Sequence, residues 1–237
     1  MMLNKDNMNE ALADAVMDRP REFFIGERRF CLWSPSLGMS LMLERHISEL
    51  GINRRLLSED PAMESLRLVA EKREQVCLII SIRTFRRFTD LSNGRRIKKR
   101  SDFLQSNLDI QELSQLLIFI LSEPNAETLI SLSPIGEQRE KQALIAKIKS
   151  SANSLTFGGN TIYGMLIAPA MTTFHLSFHE AVWGISLTNL KMLMADNINS
   201  VYLSDEEAKK YGMATEKPQT IGMSAEDFDR LKAEFRD

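Results

Sequence analysis

The dipeptide Asp60-Pro61 constrains the fold more than any other local feature of this chain. Aspartate can accept hydrogen bonds from the backbone of a first helical turn, and proline suits the first helical position, where no donor is needed. The stretch that follows, residues 62–88, is rich in apolar residues. We predict a long helix over it that ends by Asn93-Gly94, then a basic run, and a further turn or short helix from Ser101.

Other helix signals are spread along the chain. Asp109 with Glu112 and Ser204 with Glu207 each place a capping side chain three residues before a glutamate, which predicts two capping boxes. Pro35-Ser36 opens a helix, for which Gly51 is a plausible stop. Helices are also predicted at residues 125–132, 135–151, 161–174 with an interruption at Pro169, 186–200 and 224–236.

Two β-hairpins are predicted among these helices. In residues 22–33 the turn is Gly26-Glu27, because glycine takes the positive φ that a two-residue turn needs. The second hairpin is predicted around Gly158-Gly159, in LTFGGNTIYG. The expected fold class is mainly α, a multi-helix domain with a short N-terminal β-hairpin and a small C-terminal helical unit.

The predicted domain boundary lies near residues 150–153. There the composition changes from a charged helix to a glycine- and threonine-rich stretch. The predicted domains are a flexible N-terminal arm at residues 1–20, a hairpin plus helical domain at 21–152, and a C-terminal helical unit at 153–237 that contains a linker at 213–223.

The composition is that of an ordinary soluble protein, with 43% apolar and 26% charged residues. The net charge of −2 argues against a protein that coats nucleic acid over its whole surface. Cys31 and Cys77 lie in apolar runs, which favours buried free thiols in a reducing compartment. No signal peptide is evident, and no run reaches the roughly 18 apolar residues of a membrane span. We expect a protein of the cytoplasm.

Few residues could carry chemistry. His175 and His179 are spaced like two metal ligands on a helix, but Ser177 between them looks like an N-cap, which would leave His175 outside the helix. His46 has no nucleophile or carboxylate positioned beside it. Gly158-Gly159 lacks the lysine of a phosphate-binding loop and is better explained as a tight turn. We therefore expect no enzyme, no catalytic residue, no metal site and no cofactor.

The strongest charge feature is a basic stretch from Arg83 to Arg100. It could neutralise phosphates, with Phe85 and Phe88 stacking on bases, although their spacing of three also suits a buried helix face. Because the chain as a whole is slightly acidic, nucleic acid is the less favoured partner. The predicted contacts for a nucleic acid or an acidic partner are Arg95, Arg96, Lys98, Lys99 and Arg100.

A second candidate surface surrounds Trp183, which has several methionines near it in sequence. Surfaces that accept varied apolar helices use methionine often, although the same residues also suit a core. Trp183 could hold the C-terminal unit together as well as contact a partner. The predicted partner-binding residues are Leu37, Leu41, Met165, Trp183, Leu187, Leu190 and Met194.

Two segments of this chain share a pattern with one known protein family. Residues 22–52 contain EFFIGERRF, a hairpin with the pattern Phe-x-Ile-Gly-x-x-x-Phe, followed by a small apolar helix. In residues 154–207 a tryptophan, Trp183, precedes an apolar helix. The first segment resembles the opening, and the second the C-terminal helical unit, of the tail-assembly chaperones of long-tailed bacteriophages, especially those of phages and prophages of Bacteroides-type bacteria.

The resemblance implies a non-enzymatic chaperone of the bacterial host cytoplasm. Such proteins coat the apolar, helical tape-measure protein before the tail tube polymerises, recruit tail tube subunits, and are absent from the finished virion. The expected partners are thus the tape-measure protein and the tube subunit, with a homo-oligomer also possible and no membrane. Two alternatives remain open: a structural tail or baseplate component, and a nucleic-acid-associated protein that uses residues 83–100.

Overall fold

The computed structural model describes residues 12–123, 126–149, 160–197 and 202–212. The protein is mainly helical, with an N-terminal two-stranded antiparallel hairpin and small C-terminal helices, so the predicted fold class is confirmed. The chain divides into two compact units, Met1–Arg139 with Thr156–Asn197, and Glu140–Leu155 with Ile198–Asp237. The domain boundaries drawn from the sequence stay a prediction.

The elements of the first unit are numbered in chain order. The strands are β1 (Arg21–Ile25) and β2 (Arg28–Leu32). The helices up to residue 121 are α1 (Leu37–Glu49), α2 (Arg54–Glu59), α3 (Pro61–Arg83), α4 (Phe88–Leu91), α5 (Gly94–Asn107) and α6 (Ile110–Leu121). Then follow α7 (Ala126–Leu132), α8 (Pro134–Lys149), the π-helical turn π1 (Tyr163–Ile167), α9 (Ala168–Thr173), a second π-helical turn π2 (Glu180–Gly184) and α10 (Leu187–Ala195).

The described residues of the second unit form the C-terminal part of α8 and the short helix α11 (Asp205–Tyr211). The predicted capping box is present at the start of α11, where Ser204 and Glu207 bond each other's backbone N–H groups. Gly212 ends the helix in the left-handed conformation, with φ of 79°. The predicted final helix at 224–236 and the linker at 213–223 lie outside the described residues.

The N-terminal hairpin forms as predicted. Ile25 pairs with Arg28 across the turn, and Gly26 at the first turn position has φ of +58°. Phe23 and Phe30 face each other across the strands with their rings 5.4 Å apart, and Phe30 also lies 5.8 Å from the ring of Phe103 on α5. Aromatic packing on one face therefore holds the hairpin against the helices.

The long helix α3 begins as predicted, with the Asp60 side chain accepting hydrogen bonds from the backbone of Ala62 and Met63. The prediction that it continues to about Phe88 is wrong, because it ends at Arg83. The backbone oxygen of Arg83 accepts a hydrogen bond from the backbone N–H of Trp33, at 3.0 Å. A contact 50 residues away in sequence thus helps to set this end, and local pattern could not predict it.

The basic run lies inside a helix, which corrects the prediction of a later start near Ser101. Asn93 caps α5 by accepting a hydrogen bond from the backbone of Arg96, so the run from Arg95 to Arg100 forms its first two turns. Asn93-Gly94 is therefore a helix start and not a helix end. The predicted capping box of Asp109 and Glu112 is confirmed at the start of α6.

The main core surrounds α3, which packs against α1, α2, α5, α6 and β2. From Val76 to Arg83 only Leu78 is not fully buried, as expected for a helix that is apolar on all sides. One buried carboxylate, Glu64, accepts hydrogen bonds from the Arg67 guanidinium and from the backbone N–H of Asn53. These bonds tie the loop before α2 to α3.

The C-terminal layer of the first unit comprises π1, α9, π2 and α10. The predicted second hairpin lies partly outside the described residues, and the part that is described does not form a strand, because Ile162 begins a helical segment. Pro169 lies in the first turn of α9, a position where its missing N–H costs little. Residues 12–16 are also helical, and Leu12 and Ala15 pack against α7 and α10.

Candidate interaction surface

The C-terminal layer is joined to α1 by a short contact that we call the clasp. Ser36 and Ser186 form an isolated antiparallel bridge, and the backbone N–H of Leu187 donates to the Pro35 oxygen at 2.8 Å. Ser36 caps α1, and Ser186 caps α10 in the same way. Two helix starts therefore meet here, and the chain around Ser36 contacts the chain around Ser186.

Trp183 completes the clasp by packing over the first turn of α1. A Cβ atom added at Gly38 would lie 2.6 Å from the tryptophan ring, so only glycine fits beneath it. Trp183 also contacts Phe88, at a ring distance of 4.8 Å, and Phe88 meets the His179 ring edge-on at 5.7 Å. Phe88 thus packs on Trp183, whereas Phe85 is buried in the main core.

The predicted partner-binding residues divide into buried and exposed groups. Leu37 lies in one cluster with partly buried Trp183 and Leu187, while Leu190 lies in a neighbouring cluster with partly buried Met194. Leu41 and Met165 are exposed, by 44% and 61%. The first group holds the clasp and the C-terminal layer together, and Leu41 and Met165 are free to meet a partner directly. Their partner-binding role stays a prediction.

The segment that contains Met165 also exposes several apolar side chains that were not among the predicted partner-binding residues. The segment from Ile162 to Phe178 contains no Asp, Glu, Lys or Arg. Its inner side chains, such as Ile167 and Ala170, are buried against the rest of the unit. We call its exposed apolar side chains the uncharged surface: Ile162, Tyr163, Met165, Met171 and Phe178.

The uncharged surface is unusual because several large apolar side chains are exposed in a segment that has no Asp, Glu, Lys or Arg, although Thr172, Thr173, His175 and Ser177 are exposed there as well. Helices of a globular protein normally place charged or polar residues on the solvent side, and clustered exposed apolar residues mark interaction sites. Tyr163 is 68% exposed, although it is one of the largest apolar side chains here. The sequence signal that could have identified the surface is the absence of charge from Ser150 to His179.

The basic stretch does not form one charged surface. Arg83 is buried, with its guanidinium 2.9 Å from a Glu123 carboxylate oxygen and donating to the Trp33 oxygen at 2.8 Å. Arg100 lies between two rings, its guanidinium carbon 4.5 Å from the centre of Phe85 and 5.1 Å from that of Phe30. Both arginines therefore support the hairpin and the loop after it.

The remaining basic residues of the stretch differ in their partners. Arg86 stacks on Trp33 at 4.5 Å and lies 3.3 Å from Asp18, and Arg96 is paired with Asp90. In the part of the chain that the structure describes, no ion pair involves the other four, which are exposed: Arg87, Arg95, Lys98 and Lys99. Half of the stretch thus has internal contacts, which weakens the case for a phosphate-binding surface.

His175 and His179, which are spaced like two metal ligands, are separated by a helix cap. Ser177 accepts a hydrogen bond from the backbone of Glu180, whose carboxylate accepts one from the Ser177 backbone, so Ser177 caps the helical turn as predicted. His175 precedes this cap, with φ of 54°. Among the described residues, no three His, Cys, Asp or Glu side chains are arranged as metal ligands.

Comparison with known proteins gives no match, whether to a protein-family model, a curated protein or a solved structure. Among the described residues, no helix combines the length and the apolar character that crossing a membrane requires.

Proposed function

We propose that this protein is a non-enzymatic phage tail-assembly chaperone, which binds the apolar helical tape-measure protein in the host cytoplasm and aids assembly of the tail tube. The observation that carries the proposal is the uncharged surface. An apolar client helix can lie against Met165 and Tyr163 without burying an unpaired charge, which would cost several kcal/mol or more per ion.

Methionine supports this assignment because its unbranched side chain adapts to partners of different shape. Met165 and Met171 are both exposed on the uncharged surface. A chaperone that coats a long client must accept many different apolar turns, so adaptability matters more than a close fit to one sequence. The contact between the two family-like segments at the clasp is further support, because it holds the layer that displays this surface against α1.

The proposal is tested by co-expressing the protein with the tape-measure protein encoded beside it. We expect the soluble fraction of the tape-measure protein to rise severalfold and the two proteins to co-purify. The double variant Met165→Glu with Met171→Glu should lose both effects, because it places charge where the client lies. Met63→Glu is the matched control, since Met63 is 56% exposed at the start of α3, away from the uncharged surface.

Two results would contradict the chaperone proposal. If the tape-measure protein stays insoluble and does not co-purify, the proposed client is wrong. If the protein is found in purified tail particles, a structural tail or baseplate role replaces it. Salt-sensitive binding to DNA that is lost when Arg95, Lys98 and Lys99 become alanine would instead favour a nucleic-acid partner.

A further inference from the structure

The outer edge of the N-terminal hairpin offers backbone groups that the proposed chaperone function does not use. Ile25 and Arg28 close a two-residue turn and therefore form a hydrogen-bonded pair. Such pairs alternate with unbonded pairs along an antiparallel ladder, so the backbone groups of Glu22 and Phe24 point away from β2. In the described part of the chain, no backbone group bonds them from the other side. Strand β1 thus has an open edge.

The side chains of β1 leave the middle of this edge unguarded. Natural proteins protect an exposed edge with lysine, proline or a bulge, because an open edge can pair with another strand. Residues 23–25 contain none of these. Phe23 and Ile25 are half-buried, and Phe24 is 63% exposed on the outer face of the hairpin. A second strand on this edge would cover the Phe24 ring and bond its backbone groups.

The hairpin carries three arginines and two glutamates, and their positions select the strand that fits the edge. Arg29 is paired with Glu22, and Arg28, on β2, stacks on a ring of α5. Among the described residues neither Arg21 nor Glu27 takes part in an ion pair, although Arg21 stacks on a ring of α6. A cation at the start of β1 and a carboxylate in the turn after it therefore remain for a partner.

A second copy of β1 complements these positions in one antiparallel register. With the contact centred on Phe24, the outward N–H and C=O groups of Phe24 meet those of Phe24 in the second copy. Phe23 then lies opposite Ile25, which is an apolar pair. At both ends Arg21 lies opposite Glu27, an opposite-charge pair of the kind that stabilises a ladder. Moving the centre to Phe23 would instead place Arg21 opposite Ile25.

We propose that two copies of this chain pair through their β1 edges, antiparallel and centred on Phe24, to form a four-stranded intermolecular sheet. Because each copy contributes the same strand, the contact closes a two-fold dimer. Centring it on Glu22 would place two carboxylates opposite each other. The ladder is short, so the dimer is weak, formed at about 200 μM protein and dissociated at about 1 μM. The pairing is independent of the uncharged surface and of the tape-measure protein.

Sedimentation velocity of the full-length protein across this concentration range tests the dimer. Phe24→Pro should abolish it, because proline removes an N–H that the intermolecular ladder needs and that β2 does not bond. Phe24→Val keeps the N–H and should weaken the dimer by no more than about fivefold, the effect of one cross-strand pair. Glu27→Arg should weaken it at least about threefold, and adding Arg21→Glu should restore it, because the charge pair is then reversed.

Cysteine cross-linking tests the register. In a Cys31→Ser background, Phe24→Cys should form a disulfide between copies, because bonded partners in a ladder have Cα atoms about 5.5 Å apart, a distance that a disulfide spans. Glu22→Cys is the matched control on the same edge. In the proposed register its two copies are offset by four residues, roughly 13 Å, and should not cross-link.

Three results would overturn the proposal. The first is a monomer at every concentration, and the second is faster cross-linking of Glu22→Cys than of Phe24→Cys. The third is a dimer that survives Phe24→Pro but is lost in the double variant Met165→Glu with Met171→Glu, which would place the contact on the uncharged surface. No client is present in these experiments, so a failure of the chaperone proposal would not produce any of these results.

Discussion

The ring of Trp183 lies against Gly38, so closely that a single added methyl group at Gly38 would come within 2.7 Å of three ring carbons. The two residues are 145 positions apart in sequence, and their contact sets how the C-terminal layer meets α1. Trp183 also packs against Phe88. The ring of Trp183 thus holds the C-terminal layer, which displays the uncharged surface, to α1 and to the short helix α4.

The first prediction concerns Gly38. Alanine is favoured over glycine in a helix by about 1 kcal/mol, but overpacking a tight contact costs about 1–3 kcal/mol, and a rigid indole has little room to move. We therefore expect Gly38→Ala to lower the free energy of unfolding by up to about 2 kcal/mol in urea denaturation. Gly94→Ala is the matched control, because a Cβ at Gly94 would meet nothing within 4 Å. If Gly38→Ala is as stable as Gly94→Ala, Trp183 does not rest on Gly38.

Local signals predicted most helix starts, because capping is local chemistry. Ser36, Asp60, Asp109, Ser177 and Ser204 all bond the backbone of the first turn that follows them. Helix ends were predicted less well, as the end of α3 shows. Trp33, which lies 50 residues earlier, bonds the last carbonyl of that helix, and no window around Arg83 contains this information.

The candidate site was only partly predictable. Trp183 and Met165 could be selected from residue type, but type alone could not tell that Leu190 is buried and Tyr163 exposed. Residue type also could not tell which basic residues are exposed. Arg100 packs on Phe30 and Phe85, whereas its neighbour Lys99 is exposed. Which face of a helix meets the core depends on the elements packed against it, and here these come from distant parts of the chain.

The second prediction tests the structural role of Arg100. Its guanidinium stacks between Phe30 and Phe85 and donates to the Thr84 hydroxyl at 2.9 Å. Each desolvated cation–π contact contributes about 1–2 kcal/mol, so Arg100→Ala should destabilise the protein by about 2–3 kcal/mol. Lys99→Ala should stay within about 0.5 kcal/mol of the parent, because Lys99 is exposed.

A lysine at position 100 gives a finer test of the same contact. Lysine keeps the charge but lacks the planar group that stacks on a ring, so Arg100→Lys should recover only part of the loss in urea denaturation. Equal stability of Arg100→Ala and Lys99→Ala would show that Arg100 does not stabilise the packing of Phe30 and Phe85. Arg100 would then again be a candidate contact for a nucleic acid or an acidic partner.

The third prediction is a pH dependence that comes from Glu64. Hydrogen bonds from the Arg67 guanidinium and from the Asn53 backbone hold the pKa of this carboxyl below its ordinary value of 4.5, although burial acts in the opposite direction. A lowered pKa in the folded state means that the ionised form stabilises the protein above about pH 4.5. That contribution is lost as the pH falls through the folded-state pKa.

Comparison with Glu64→Gln isolates this contribution. The variant should unfold at lower urea concentration than the parent at pH 7, and the gap should narrow as the pH is lowered below 4.5. Glu59→Gln, which removes an exposed carboxylate of α2, should show no comparable gap at either pH. A gap that is constant from pH 7 to pH 3 would mean that the amide is simply a poorer fit and that ionisation of Glu64 contributes nothing.

The last prediction distinguishes the two thiols. Cys77 is buried on α3, and burial raises the pKa of its thiol to about 11, while Cys31 on β2 is half-buried. The thiolate is the reactive form, and with this pKa only about one in a thousand Cys77 side chains is ionised at pH 8. Burial also blocks the access of a reagent to Cys77.

A thiol-reactive chromophore should therefore modify Cys31 rapidly and Cys77 only when α3 opens. In urea both should react, and the Cys31→Ser variant should show a single slow thiol whose rate rises with denaturant. A fast-reacting thiol in the folded Cys31→Ser protein would mean that the half of α3 beyond Lys72 is open to solvent, which the packing of Val76 and Ile80 does not allow.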